Sequence, residues 1–133
     1  MQTLLSIDCG TQSLRVLLFD IKGNLLAKEK VEYEPYFSTK PNYAEQHAEI
    51  FWSALCTASL KLKEKNSELF AAVAGLSVST QRDTFVNLAA DGNPVRPAIT
   101  WLDRRKAKIH YRPNFFMKLA FGLVGMNEAV MKT

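Results

Sequence analysis

Apolar positions in the first third of the chain come in short runs broken by polar clusters. Leu4, Leu5 and Ile7 form one run, and Val16, Leu17, Leu18 and Phe19 a second. Between them lies Asp8-Cys9-Gly10-Thr11-Gln12-Ser13. Runs of this length around a short polar link predict two buried strands joined as a hairpin. Asp20-Ile21-Lys22-Gly23-Asn24 predicts a second turn, with Gly and Asn where positive φ is needed. From Leu25 to Glu34 the pattern alternates, with Val31 and Tyr33 opposite Lys30, Glu32 and Glu34. This predicts a third strand with one wet face. Residues 35–45 have no period and read as a loop. From Ala48 to about Lys65, Ile50, Phe51, Ala54, Leu55, Ala58 and Leu62 recur at helical spacing, and Lys61, Lys63 and Lys65 suit the C-terminal end of the dipole. Asn66 and Ser67 are expected to end that helix. Ala71 to Ser79 reads as a buried fourth strand, with Gly75 suggesting close packing against a helix. Thr84 to Ala89 reads as a fifth strand before the Asp91-Gly92-Asn93-Pro94 turn. A short apolar run, 97–101, and a helix over 114–131 complete the chain.

This order, three meandering strands joined through a helix to further strands, predicts a mixed sheet of the α/β class flanked by helices. Three polar clusters follow strand-like runs: Asp8 to Ser13, Thr80 to Asp83, and Trp101 to Arg105. Ligands of open α/β sheets bind beyond the carboxyl ends of the strands, so all three are expected to face one cleft.

The chain has 133 residues, 47% of them hydrophobic and 23% charged, enough for one domain with a real core. The net charge of +4 is concentrated around Arg104, Arg105, Lys106, Lys108, Arg112 and Lys118. Such a run suits a solvated helix face or the lining of a phosphate site, and no nucleic-acid partner is expected from it. The two cysteines, Cys9 and Cys56, and the isolated His47 and His110 indicate neither a zinc site nor a disulfide framework. The N-terminus has no charged leader, and no stretch approaches a membrane span. A cytoplasmic, soluble protein is expected.

The first polar cluster holds the parts of a metal–phosphate site. Asp8 supplies a carboxylate, Gly10 close backbone approach, Thr11 and Ser13 hydroxyls, and Arg15 positive charge. The same residues also make a good hairpin turn, with Asp and Gly chosen for geometry alone.

The ordered set of motifs resembles the N-terminal part of FGGY-type carbohydrate kinases, which include glycerol, xylulose and ribulose kinases. IDCGTQSLRVLLFDIKGNLLA is similar to the family's Asp-x-Gly-Thr phosphate motif and the turn after it. NYAEQHAEIFWSAL is similar to its Glu-Gln segment and first helix. VAGLSVSTQRDTFVNLAADGNPVRPAITWLDRR resembles the substrate segment, the Asp-Gly-x-Pro turn and the Trp-x-Asp-x-Arg signature. The resemblance implies a ribonuclease H-like, actin-like fold in two domains, and γ-phosphate transfer from ATP, with Mg2+, to a sugar or polyol hydroxyl. It puts Gly10, Thr11, Gln12, Ser13 and Arg15 at the nucleotide phosphates, and Asp8 at the metal as a catalytic group. It puts Gln81, Arg82, Asp83, Trp101 and Asp103 at the substrate. The residues themselves leave Trp101 open to a plain core role and Asp103 to a helix cap.

Glycerol kinases follow Gln-Arg with Glu where this chain has Asp83, and xylulose kinases usually carry a different segment there. The family runs to several hundred residues, with its catalytic base beyond position 133. The chain is therefore expected to be an incomplete N-terminal domain, residues 1–133, inactive alone, with the nucleotide-side domain absent. Self-association is expected through a C-terminal helix carrying Phe115, Phe116, Leu119, Leu123 and Val124. Two rival readings are a ribonuclease H-like nuclease or resolvase holding metals on Asp8 and later carboxylates such as Glu128, and a non-catalytic polyol-binding module.

Overall fold

A computed structural model describes residues 2–106, 114–123 and 125. Strands β1 (Thr3–Cys9), β2 (Ser13–Asp20) and β3 (Leu25–Glu32) form an antiparallel meander. A two-residue strand, β4 (Glu45–Gln46), precedes helix α1 (Glu49–Lys65) and the short helix α2 (Ser67–Ala71). Strand β5 (Val73–Thr80) then runs parallel to β1, giving the order β3-β2-β1-β5. Strand β6 (Ala98–Ile99) pairs antiparallel with β4 in a separate small sheet, and α3 (Phe115–Leu123) follows.

Strand alternation sorts the main sheet's residues by face. Leu5 and Ile7 of β1 and Leu14, Val16 and Leu18 of β2 point to one side. Helix α1 lays Ala54, Ala58 and Leu62 against them. Its small residues let the helix approach closely, while each buried Leu or Val contributes about 1.5–3 kcal/mol. The predicted helix face is thus the observed one. The Asp20–Asn24 turn also forms, with Gly23 at φ +86° and the Asp20 carboxylate accepting from the Lys22 and Asn24 amides.

Four expectations change. Residues 84–89 are not a strand; Phe85 bridges only to Ile99, and Leu88 only to Pro94. Pro94 and Pro97 remove donors that a continuous ladder would need. Ser67 does not end helical structure but opens α2, whose Leu69 and Phe70 pack on the core. Glu45 and Gln46 belong to a strand rather than a loop. Gly75 packs not against a helix but beside Leu4 of the neighbouring strand, whose side chain would lie 3.4 Å from an added Cβ. The last helix is described as far as Leu123; Val124, Glu128, the predicted extension to 131, and Lys108, His110 and Arg112 lie outside the described residues. No described helix is long and apolar enough to cross a membrane.

Candidate functional site

Because β1 and β5 are parallel and β2 returns antiparallel, the ends of β1 and β5 and the start of β2 share one edge of the sheet. The Gln81 amide continues the parallel ladder by donating to the Cys9 carbonyl at 3.0 Å. This brings the first two polar clusters together. Gly10 closes the hairpin, its amide donating to the Ser13 carbonyl at 3.0 Å. A Cβ there would lie 3.2 Å from that same oxygen, so the position favours glycine on spacing rather than on φ.

Thr11 is the joint of the site. Its hydroxyl donates to Gln81 Oε1 at 2.7 Å and accepts from Trp101 Nε1 at 2.9 Å. Its carbonyl accepts from Gln46 Nε2 at 2.9 Å. Gln46 also donates to the Glu34 carbonyl at 3.1 Å and accepts from Gln81 Nε2 at 3.4 Å. Gln46 is only 2% exposed, and a buried amide without partners would cost about 1–3 kcal/mol. Residues from four distant stretches are thus tied to one loop residue. Tyr33 supports the loop from below, its hydroxyl donating to the Gly10 carbonyl at 2.6 Å, and burial pushes its phenol well above the usual range. Burial likewise raises the neighbouring Cys9 thiol, so Cys9 stays protonated near neutral pH.

Two recesses flank this joint. A cleft of about 1000 Å³ is lined by Gly10, Thr11, Gln12, Ser13 and Arg15, by Lys30 to Tyr36 in part, and by Trp101 and Leu102. A smaller one of about 350 Å³ is lined by Gln81, Arg82, Asp83 and Trp101. Trp101 stands between the two and is 53% exposed, which excludes the plain core role. Asp83 has φ +57°, a left-handed turn that Asp tolerates better than most residues.

Asp8 does not line the larger recess itself. Its carboxylate takes Arg15 Nη1 at 2.6 Å, and both side chains remain about two-fifths exposed. Its printed partner is therefore a cation rather than the turn amides that an Asx-type turn would use. Asp103 is placed differently from the rest of the predicted set. Its side chain is only 4% exposed, and it accepts from Arg105 Nε, Arg105 Nη2 and the Ala44 amide. Arg105, which also pairs with Glu45 at 2.8 Å and stacks on Tyr43, holds the Asp103 carboxyl down at about 2. This clasp joins residues 42–46 to residues 100–105. It caps no helix.

Sequence reading did not give site roles to Gln46, Tyr33 or Arg105. Gln46 was legible only as one half of a Glu-Gln pair before a helix. Its importance comes from long-range pairing of β4 with β6, which local pattern does not carry. Among the described residues no group of three or more His, Cys, Asp or Glu side chains is placed to hold a metal.

Comparison with known proteins agrees with this arrangement. Residues 3–112 match the model of the FGGY family of carbohydrate kinases, N-terminal domain. The chain is 31% identical over 110 residues to a glycerol kinase from Alkalilimnicola ehrlichii, covering 82% of this chain and 22% of that protein. It is 37% identical over 108 residues to a xylulose kinase from Lactococcus lactis, covering 81% and 21%. Among solved structures, a xyloylose kinase from Brucella ovis superposes with a TM-score of 0.75 at 28% identity, covering 78% of this chain and 22% of that one. Glycerol kinase from Plasmodium falciparum with ADP superposes with a TM-score of 0.69 at 25% identity, covering 79% and 21%. The chain spans about a fifth of the length of these relatives. The neighbours share its actin-like, ribonuclease H-like fold, and the chain belongs to the FGGY family of carbohydrate kinases, of which it carries the N-terminal domain.

Proposed function

We propose that this chain supplies the phosphate loop and the polyol cluster of a two-domain kinase that transfers the ATP γ-phosphate to a sugar or polyol hydroxyl. The observation that carries the reading is the Thr11 joint. One hydroxyl binds Gln81 and Trp101, so the two recesses meet at a single residue. A phosphate held over residues 10–13 would then lie beside a hydroxyl held at the second recess, the proximity that transfer requires. A cytoplasmic setting, where ATP is available, goes with this reading.

In this proposal the Gly10–Ser13 backbone and Arg15 face the nucleotide phosphates. Arg82 offers a fork and Asp83 a carboxylate to vicinal hydroxyls, and the Trp101 ring covers sugar C–H groups. Gln81 is committed to Thr11 and Gln46, so it positions the cluster. Asp103 does the same from within the clasp. A single half-exposed carboxylate, Asp8, suits magnesium, which keeps most of its waters and takes few carboxylates besides substrate phosphates. When bound, the metal supplies neutralisation of phosphate charge.

The test is an NMR titration of the 133-residue chain with glycerol, D-xylulose and ATP–Mg2+. Either polyol should move the Trp101 indole resonance and the amides of 81–83, and nucleotide should move the amides of 10–13. Arg82→Lys should weaken the polyol response several-fold and leave the nucleotide response unchanged, because Lys keeps charge but loses the fork. No polyol response at 81–83 at saturating concentrations would overturn the assignment.

A further inference from the structure

The two edges of the main sheet are built differently. The β3 edge carries Lys28, Glu29, Lys30 and Glu32, charges of the kind that blunt an edge against pairing. The β5 edge, VAGLSVST, has eight residues with neither charge nor proline, and among the described residues nothing pairs with its outer side. Its hydrogen-bonding direction follows from the register. Gln81 donates inward to Cys9, so by strand alternation 75, 77 and 79 also aim inward, and residues 74, 76, 78 and 80 turn their N–H and C=O groups outward. Leu76 and Val78 align with Leu5 and Ile7 on the helix-covered face, yet are 60% and 56% exposed, because α1 covers β2 and β3 rather than β5.

We propose that β5 is a self-complementary docking edge whose occupant is a second copy of this chain, paired antiparallel about a two-fold axis through Ser77. In that register Leu76 lies opposite the partner's Val78, and Ala74 opposite the partner's Thr80. All four are outward-bonding positions, so each opposed pair exchanges two backbone hydrogen bonds and the ladder is complete over the strand. Opposed Leu and Val side chains cover each other on one face, and no like charges meet. The pairing is isologous, so it consumes the edge and stops at two chains. The apolar face of α3 plays no part in it.

Sedimentation equilibrium of the 133-residue chain tests this. The expected species is twice the 15.0 kDa chain mass. Ser77→Lys puts two cations opposite each other at the axis and should weaken dimerisation at least tenfold, with circular dichroism unchanged because Ser77 is exposed. Leu119→Glu, on α3, should leave the dimer intact. Ser77→Cys checks the register. Directly opposed non-hydrogen-bonded residues have Cα atoms about 4.5 Å apart, within disulfide reach, so mild oxidation should give a covalent dimer that the wild-type chain, with Cys9 and Cys56, does not. A monomer at millimolar concentration, assemblies larger than two, a dimer lost with Leu119→Glu, or one untouched by Ser77→Lys would overturn the proposal.

Discussion

Asp8 and Asp103 are both acidic residues after apolar runs, yet the fold treats them oppositely. Asp8 is half-exposed and paired to a cation beside the phosphate loop, while Asp103 is sealed in the clasp. Their sequence contexts do not separate these fates, because the difference depends on Arg105, Glu45 and Tyr43 arriving from elsewhere. Asp8→Asn should change the melting midpoint little, since an exposed pair contributes about 0–1 kcal/mol. It should abolish the tightening of ATP binding by magnesium, measured as the ratio of affinities with and without the ion. An unchanged ratio would remove Asp8 from the metal. Asp103→Asn should cost about 2 kcal/mol, the usual loss for a hydrogen bond to a charged group, read from urea melts at pH 7. The Asp103 carboxyl is held at about 2 in the folded chain, below its ordinary 3.8. Its contribution is therefore complete above pH 4 and is lost as the pH falls toward 2, so the wild-type and Asp103→Asn stabilities should converge across that window.

At the scale of elements, what was legible is what local period specifies. The meander, α1 and β5 follow from strand alternation, a helical repeat and turn chemistry, and all four lie where the pattern puts them. The β4–β6 pair and α2 were not legible. Two-residue strands have no period, and Ser67 to Ala71 is too short to show one. Residues 84–89 mislead for the complementary reason: their apolar pattern suits a strand, but the facing segment holds two prolines. The site was half legible, since its polar clusters stand out and the amide that ties them, Gln46, does not. The α1 interface offers a direct check of packing. Ala58 is fully buried against the sheet. Ala58→Leu should destabilise by about 1–3 kcal/mol through overpacking, seen as a lower urea midpoint at unchanged slope. A neutral result would mean that α1 sits farther from the sheet than described.

For the molecule as a whole, the chain holds two recesses and one joint but spans about a fifth of its relatives' length. We expect residues 1–133 alone to bind polyol and nucleotide without steady-state transfer. A positioned general base contributes about 10²–10⁴-fold, and the family resemblance places that base beyond position 133. Coupled-enzyme measurement of ADP release with glycerol would check this, and turnover at an ordinary kinase rate would refute it.

The clasp has a further consequence for how the chain opens. Asp103 reaches Ala44 across 59 positions and Arg105 reaches Glu45 across 60, so these bonds close a loop around α1, α2 and β5. Such a closure is entropically costly and forms only once the enclosed elements are in place. Residues 82–106 therefore behave as a strap fastened late, held at Trp101 and at the clasp, able to lift away while the sheet and α1 stay folded. Amide exchange can see this directly. The Ala44 amide, bonded to Asp103, and the Thr100 amide, bonded to the Ala44 carbonyl, should exchange together. Both should exchange faster than the α1 amides, and their opening equilibrium should rise as Asp103 takes up its proton below pH 4. A folded sheet with an unfastened strap would then be an acid-populated form of this chain.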